Sequence, residues 1–207
     1  MTRWLVPALV ALTLTGCAHL PIGTGTDGLS YEDRRAALEA TGAWEIRGRL
    51  AVDTGDRGFQ GSFAWSQTAD ALDLTVRGPL GAGVLQVSGT PATLTFTARG
   101  ETRTLTDPEA DLATLLGWWL PVGSLHSWLL GLPDRSFRAA TQAGANATLA
   151  AFEQRLWRVA YPTYQLAPLA GSANGVLVPR RIDLVHGDLQ LRLTIDHWRA
   201  AVSRDAP

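Results

Sequence analysis

The sequence contains no lysine: all 18 of its basic residues are arginine, set against 19 acidic ones, for a formal net charge of −1. Without lysine there is no Schiff-base nucleophile and no phosphate-loop lysine. A nearly neutral chain has no general attraction to phosphate backbones, which excludes charge-driven nucleic-acid binding. There is a single cysteine, Cys17. One sulfur can neither close an internal disulfide nor build a thiolate metal cage. Long hydrophobic runs are missing too. The run Trp4 to Leu12 falls well short of the ~20 apolar residues that cross a bilayer, and Pro7 interrupts it. The four histidines, His19, His126, His186 and His197, have no metal-ligand spacing, no Gly-x-Ser-x-Gly element occurs, and no pair of carboxylates stands out. The chain therefore reads as a non-enzyme without metal or cofactor.

What the N-terminus does have is one charge, Arg3, then the short apolar run, small residues and Cys17. That is the outline of a secretory signal. Leu14-Thr15-Gly16-Cys17 resembles the bacterial lipoprotein signal. The resemblance implies cleavage before Cys17, a diacylglycerol on its thiol and an acyl chain on the new amino terminus. The other reading of a lone cysteine is a buried free thiol. Ala18 and His19 follow where inner-membrane lipoproteins of many Gram-negative bacteria carry aspartate, which implies the outer membrane, with the protein held on its periplasmic face. Three domain boundaries follow: a signal over 1–16, a lipidated flexible tether over 17–29 rich in glycine and small polar residues, and one domain over 30–207.

Within that domain, Ser30 with Asp33 three residues on predicts a capped helix ending at Gly42. From Trp44 the apolar period becomes two. Strands are expected from Trp44 to Val52, Phe59 to Trp65, Leu72 to Val76, Val84 to Ser88 and Thr93 to Ala98, joined by short turns as an antiparallel meander. Asp107-Pro108 opens a helix carrying Leu112, Leu115 and Leu116 and stopping at Gly117, and Ser124 caps a second that runs to Leu130. Strands resume over Asn146–Ala151, Leu156–Tyr161, Tyr164–Leu166, Pro179–Val185 and Leu189–Ile195. The fold class is mainly β: one curved antiparallel sheet of ten or eleven strands whose interior the helices close.

Two features invite a functional reading. Gly78-Pro79-Leu80-Gly81-Ala82-Gly83 sets one large aliphatic side chain in a turn that ordinarily carries polar residues. Either Leu80 folds back into the core or it projects as an apolar finger toward lipid or a partner. Trp118 and Trp119 are adjacent and cannot share one face, so at least one of them lines a cavity or groove. With Trp65, Leu125 and Trp128, Trp119 is a candidate lining for a space that holds flexible hydrocarbon, the other reading of these apolar side chains being a simple packed core.

Pro121-Val122-Gly123-Ser124-Leu125-His126-Ser127-Trp128-Leu129-Leu130-Gly131-Leu132-Pro133 resembles the Pro-x-x-Ser-Leu-x-x-Trp-Leu/Ile-Leu-Gly-Leu-Pro helix of the LolB family. Arg47-Gly48-Arg49-Leu50-Ala51, Phe63-Ala64-Trp65-Ser66-Gln67, Pro79-Leu80-Gly81 and Asp196-His197-Trp198 match in the family's order. The resemblance implies a half-open antiparallel β-barrel of about eleven strands lidded by helices, with an apolar cavity for acyl chains. It implies a monomeric outer-membrane lipoprotein receptor that takes lipoprotein cargo from a LolA-type periplasmic carrier and delivers it among outer-membrane lipids. It places the functional leucine of the protruding loop on Leu80, flanked by Pro79 and Gly81. Two other functions fit the same body: an envelope assembly module with a packed interior, and a general carrier of free lipids.

Overall fold

The computed structural model describes residues 30–79, 83–168 and 175–200. Residues 1–29, read from the sequence as signal and tether and including Cys17, together with Leu80 and Gly81, lie outside the described residues.

Helix α1 (Tyr31–Glu39) starts at a complete capping box: the Ser30 hydroxyl accepts from the Asp33 amide, and the Asp33 carboxylate accepts from the Ser30 amide. Six strands follow, β1 (Ala43–Asp53), β2 (Gly58–Thr68), β3 (Ala71–Arg77), β4 (Val84–Thr90), β5 (Thr93–Ala98) and β6 (Glu101–Leu105). Helices α2 (Pro108–Leu116) and α3 (Val122–Leu129) come next. The chain then returns to strands with β7 (Ala140–Ala143), β8 (Leu149–Gln154), β9 (Trp157–Ala167), β10 (Val176–His186) and β11 (Leu189–Ala200). All eleven strands form one antiparallel sheet in the order β6-β5-β4-β3-β2-β1-β11-β10-β9-β8-β7. The first and last strands therefore pair in its middle. Its two edges, β6 and β7, are consecutive strands of the chain, and the segment bridging them carries α2 and α3 across the opening.

Period-two burial runs through β1, where Trp44, Ile46 and Gly48 are buried and Arg47 and Arg49 exposed. Gly48 sits at a bulge against β11, and a Cβ there would collide with the Thr194 carbonyl. Helix α2 has the cap read from sequence, Asp107 with Pro108 at its first position, and stops at Gly117 with φ 81°.

Several expectations are corrected. Ser124 is no cap: α3 begins at Val122, and Ser124 lies fully buried within it, donating 2.8 Å to Asp134 Oδ2. β8 starts at Leu149 rather than Asn146, because Asn146 and Ala147 adopt positive φ and form the turn. Leu156–Tyr161 and Tyr164–Leu166 are one strand, β9. Opposite β10 two residues, Tyr161 and Pro162, stand against Ile182 alone, and this bulge accommodates the proline. β6 and β7 have no counterpart in the sequence reading.

The core divides by filling. Around β8, β9 and α3, Trp128 packs on Phe152 and Trp157 with ring centroids 5.9 and 6.3 Å apart, and the Tyr161 hydroxyl donates 2.8 Å to the Trp128 carbonyl. Arg34 of α1 is buried there, donating to the carbonyls of Leu177 and Leu130 and lying 5.4 Å from the Tyr164 ring. Burial without a carboxylate partner lowers its pKa. On the β1–β5 side the inner face is only partly covered.

Candidate functional site

That partly covered face encloses a cavity of about 770 Å³, inside the ~300–1,000 Å³ span of ligand pockets. Its wall comes from Leu50 and Val52 of β1, Phe63 and Trp65 of β2, Leu72, Leu74 and Val76 of β3, Leu85 and Val87 of β4, and Phe96 of β5. Leu184 of β10 and Leu191 and Leu193 of β11 complete the sheet side. Leu112, Leu115 and Leu116 of α2 and Val122, Leu125 and Leu129 of α3 form the roof. These positions recur at every second strand residue or at helical spacing, so the apolar pattern read from sequence is also the pattern of the wall.

The chemistry of this wall is uniform. Among the described residues its only charged members are Arg99, Glu101 and Arg103, grouped at the β5–β6 turn, where Arg103 pairs with Glu101 at 3.2 Å. The indole of Trp65 donates 3.1 Å to Gln67 Oε1, so its polar end is satisfied and the remainder of the ring is apolar surface. Away from the β5–β6 turn, a surface of this kind rewards hydrocarbon of any shape and offers a polar group no charged side chain to pair with. Phe59 and Val84 line the cavity yet are each 41% exposed, which marks its mouth.

Strand pairing locates that mouth. The pairs Asp53–Gly58, Arg77–Val84 and Ala98–Glu101 all close turns at one end of the sheet. Gly83, on the cavity wall, accepts a 3.3 Å hydrogen bond from the Gly78 amide. Gly78 and Gly83 are thus pinned together at the mouth, with Pro79 exposed.

Of the sequence candidates, the structure brings Trp65 (6% exposed) and Leu125 (9%) to the cavity wall. Two others lie elsewhere. Trp128, 1% exposed, points into the filled half and donates 2.8 Å to Gln154 Oε1. Trp119 is held 5.0 Å from the Arg155 guanidinium and 5.8 Å from His186, while its neighbour Trp118 lines the cavity. The adjacency of the two indoles signalled that at least one would line a cavity or a groove, and the turn after Gly117 decides which faces this cavity. Leu80, Gly81 and Cys17 are outside the described residues. His126 of α3 stacks on Trp44 at 5.9 Å, and burial lowers its pKa below the ordinary histidine value.

Residues 42–198 match the family profile described as outer membrane lipoprotein LolB. The chain is 32% identical over 200 residues to the outer-membrane lipoprotein LolB of Stutzerimonas stutzeri (strain A1501), covering 94% of each chain. It is 31% identical over 192 residues to that of Nitrosococcus oceani, covering 91% of this chain and 92% of that one. Among solved structures, a domain from Vibrio parahaemolyticus with a suggested role in outer-membrane lipoprotein sorting aligns with a TM-score of 0.50 at 6% identity, over 84% of this chain and 92% of that one. At that identity the likeness concerns the fold alone.

Proposed function

The chain belongs to the LolB family of outer-membrane lipoproteins, and from that premise we propose that it accepts the acyl chains of lipoprotein cargo from a LolA-type periplasmic carrier and passes them to the outer membrane. The observation that carries this reading is the apolar cavity with its charge confined to one turn and its mouth beside Gly78 and Gly83. Carrier and receptor dock mouth to mouth, and the chains slide between two apolar interiors. Exposing one chain to water would cost on the order of 10 kcal/mol at ~0.8 kcal/mol per methylene, so a shielded route is needed for useful rates. No nucleotide enters the step. Direction comes from tighter binding in the receptor than in the carrier, then from the larger burial offered by the bilayer.

In this scheme residues 1–16 are removed, Cys17 carries the acyl anchor, and residues 17–29 tether the body to the periplasmic face of the outer membrane. Dozens of methylenes on one residue hold far more firmly than a single myristoyl chain. Leu80 touches the bilayer or the departing chains at the last step. The open cavity favours this reading over a packed assembly module.

Transfer of a lipoprotein from purified LolA to the purified receptor tests the proposal. Transfer followed by incorporation into vesicles is expected, and Leu80→Asp should keep transfer while impairing incorporation. No transfer overturns the receptor reading. Competition by free phospholipid as strong as by cargo would make the protein a general lipid carrier instead. Mass spectrometry should find triacylated Cys17 as the first residue.

A further inference from the structure

The mouth end of the sheet has a second side. The pairs Gln154–Trp157 and Leu189–His186 close the β8–β9 and β10–β11 turns at the same end as Arg77–Val84. At the tip of the β8–β9 turn Leu156 is 86% exposed, the most exposed large hydrophobic side chain among the described residues. Its backbone is as unusual as its exposure. Arg155 and Leu156 have φ of 50° and 63°, the pair of positive values that a two-residue hairpin turn ordinarily assigns to Asn-Gly. For a bulky side chain that conformation is an outlier, and outliers of this kind collect at functional sites.

The turn is held rigidly. Arg155 makes two hydrogen bonds, 2.8 and 2.7 Å, to the two carboxylate oxygens of Glu109, and its Nη1 lies 3.4 Å from Ser124 Oγ. Its guanidinium carbon is 5.0 Å from the Trp119 ring centre and 4.4 Å from that of Phe137, itself 44% exposed. The charge next to the leucine is therefore neutralised and flanked by aromatic rings, a composition suited to the boundary between headgroups and acyl chains.

We infer that Leu156 is a bilayer-contacting residue at the mouth end of the sheet, additional to the Leu80 contact of the proposed function, and that it helps seat the opening on the membrane. The inference rests on the proposed function, since delivery of acyl chains requires the mouth to meet the bilayer. The occupant is lipid rather than protein because one projecting side chain and half of a ring offer a small fraction of the ~800 Å² per partner that a stable protein interface buries. A bilayer needs no shape match.

The test uses the full lipidated protein in phosphatidylethanolamine and phosphatidylglycerol vesicles containing a nitroxide lipid. The acylated sulfur of Cys17 takes no label, so a fluorophore is placed at Leu156→Cys, at Leu80→Cys, or at Ala92→Cys in the β4–β5 turn of the opposite end. Quenching at positions 156 and 80 and none at 92 is the expected result. Quenching at 80 without 156 overturns the inference and leaves the proposed function standing, whereas quenching at neither overturns both. Shielding of position 156 only after LolA is added identifies a protein-docking residue and also overturns it. Leu156→Asn supplies an independent readout, because asparagine tolerates positive φ. Its thermal stability should hold or rise while the rate of cargo incorporation falls roughly three- to tenfold; an unchanged rate overturns the inference.

Discussion

Arg155 and Glu109 form a bidentate pair, 2.8 and 2.7 Å between the two guanidinium nitrogens and the two carboxylate oxygens, that fastens the β8–β9 turn to the first turn of α2. The two side chains are 18% and 28% exposed, so solvent screens the pair only partly. Glu109→Gln leaves one charge without its counterion and is expected to cost about 2 kcal/mol, lowering Tm by roughly 4–8 °C in a thermal melt. Arg155→Lys should not preserve stability, because an ammonium cannot reproduce the planar fork or its stacking on Trp119 and Phe137.

Gly48 is where β1 meets β11 most closely. Gly48→Ala forces a methyl group into the Thr194 carbonyl and to within 3.0 Å of Ile195 Cα, both main-chain atoms that cannot swing away. Loss of at least ~3 kcal/mol is expected in urea unfolding, the upper end for overpacking. A nearly neutral outcome would mean the two central strands slide past one another.

Leu74 faces the cavity from β3 and is half-buried. Leu74→Trp fills space with apolar surface, so stability should be unchanged or higher while affinity for a fluorescent fatty acid drops about tenfold or more. Unchanged affinity would place the acyl chains elsewhere.

The lowered pKa of His126 has burial as its largest cause, opposed by Asp70, Asp134 and Glu39. Between the folded value and the unfolded one near ~6.5, the unfolded chain binds the extra proton, so stability rises with pH. The contribution is complete above ~6.5 and is lost as pH falls toward and through the folded value. Urea midpoints at pH 7.5 and 5.0 should therefore differ less in His126→Gln than in the natural protein. Asp33, whose pKa is lowered by its bonds to Ser30, loses its contribution only in the more acidic range below ~3.9 and does not confuse the comparison.

Where one face of an element is buried, the sequence shows it. Trp44 to Val52 and Leu189 to Ile195 alternate plainly because their inner residues meet core or cavity. β6 is exposed at Glu101, Thr102, Arg103 and Thr104, and every residue of β7 is exposed, so neither edge strand carries a periodic signal. Ser124 was legible as a cap by type, yet its bond to Asp134 and its contact with Arg155 are long-range and leave no local trace. Arg34 likewise looks like part of a polar helix face until β10 and α3 supply its carbonyl partners. Trp65 and Leu125 were separable from Trp119 and Trp128 only once the chain's turns had set each ring's direction.

The meeting of the first and last strands at the centre of the sheet sets an order of events in folding. β1 to β6 and β7 to β11 are each runs of neighbouring strands that form from local contacts, whereas Trp44 pairs with Ala200 only after almost the whole chain is available. Leu191 and Leu193, two panels of the cavity wall, arrive with that final strand. The cavity wall is therefore complete only once β11 has taken its place between β1 and β10.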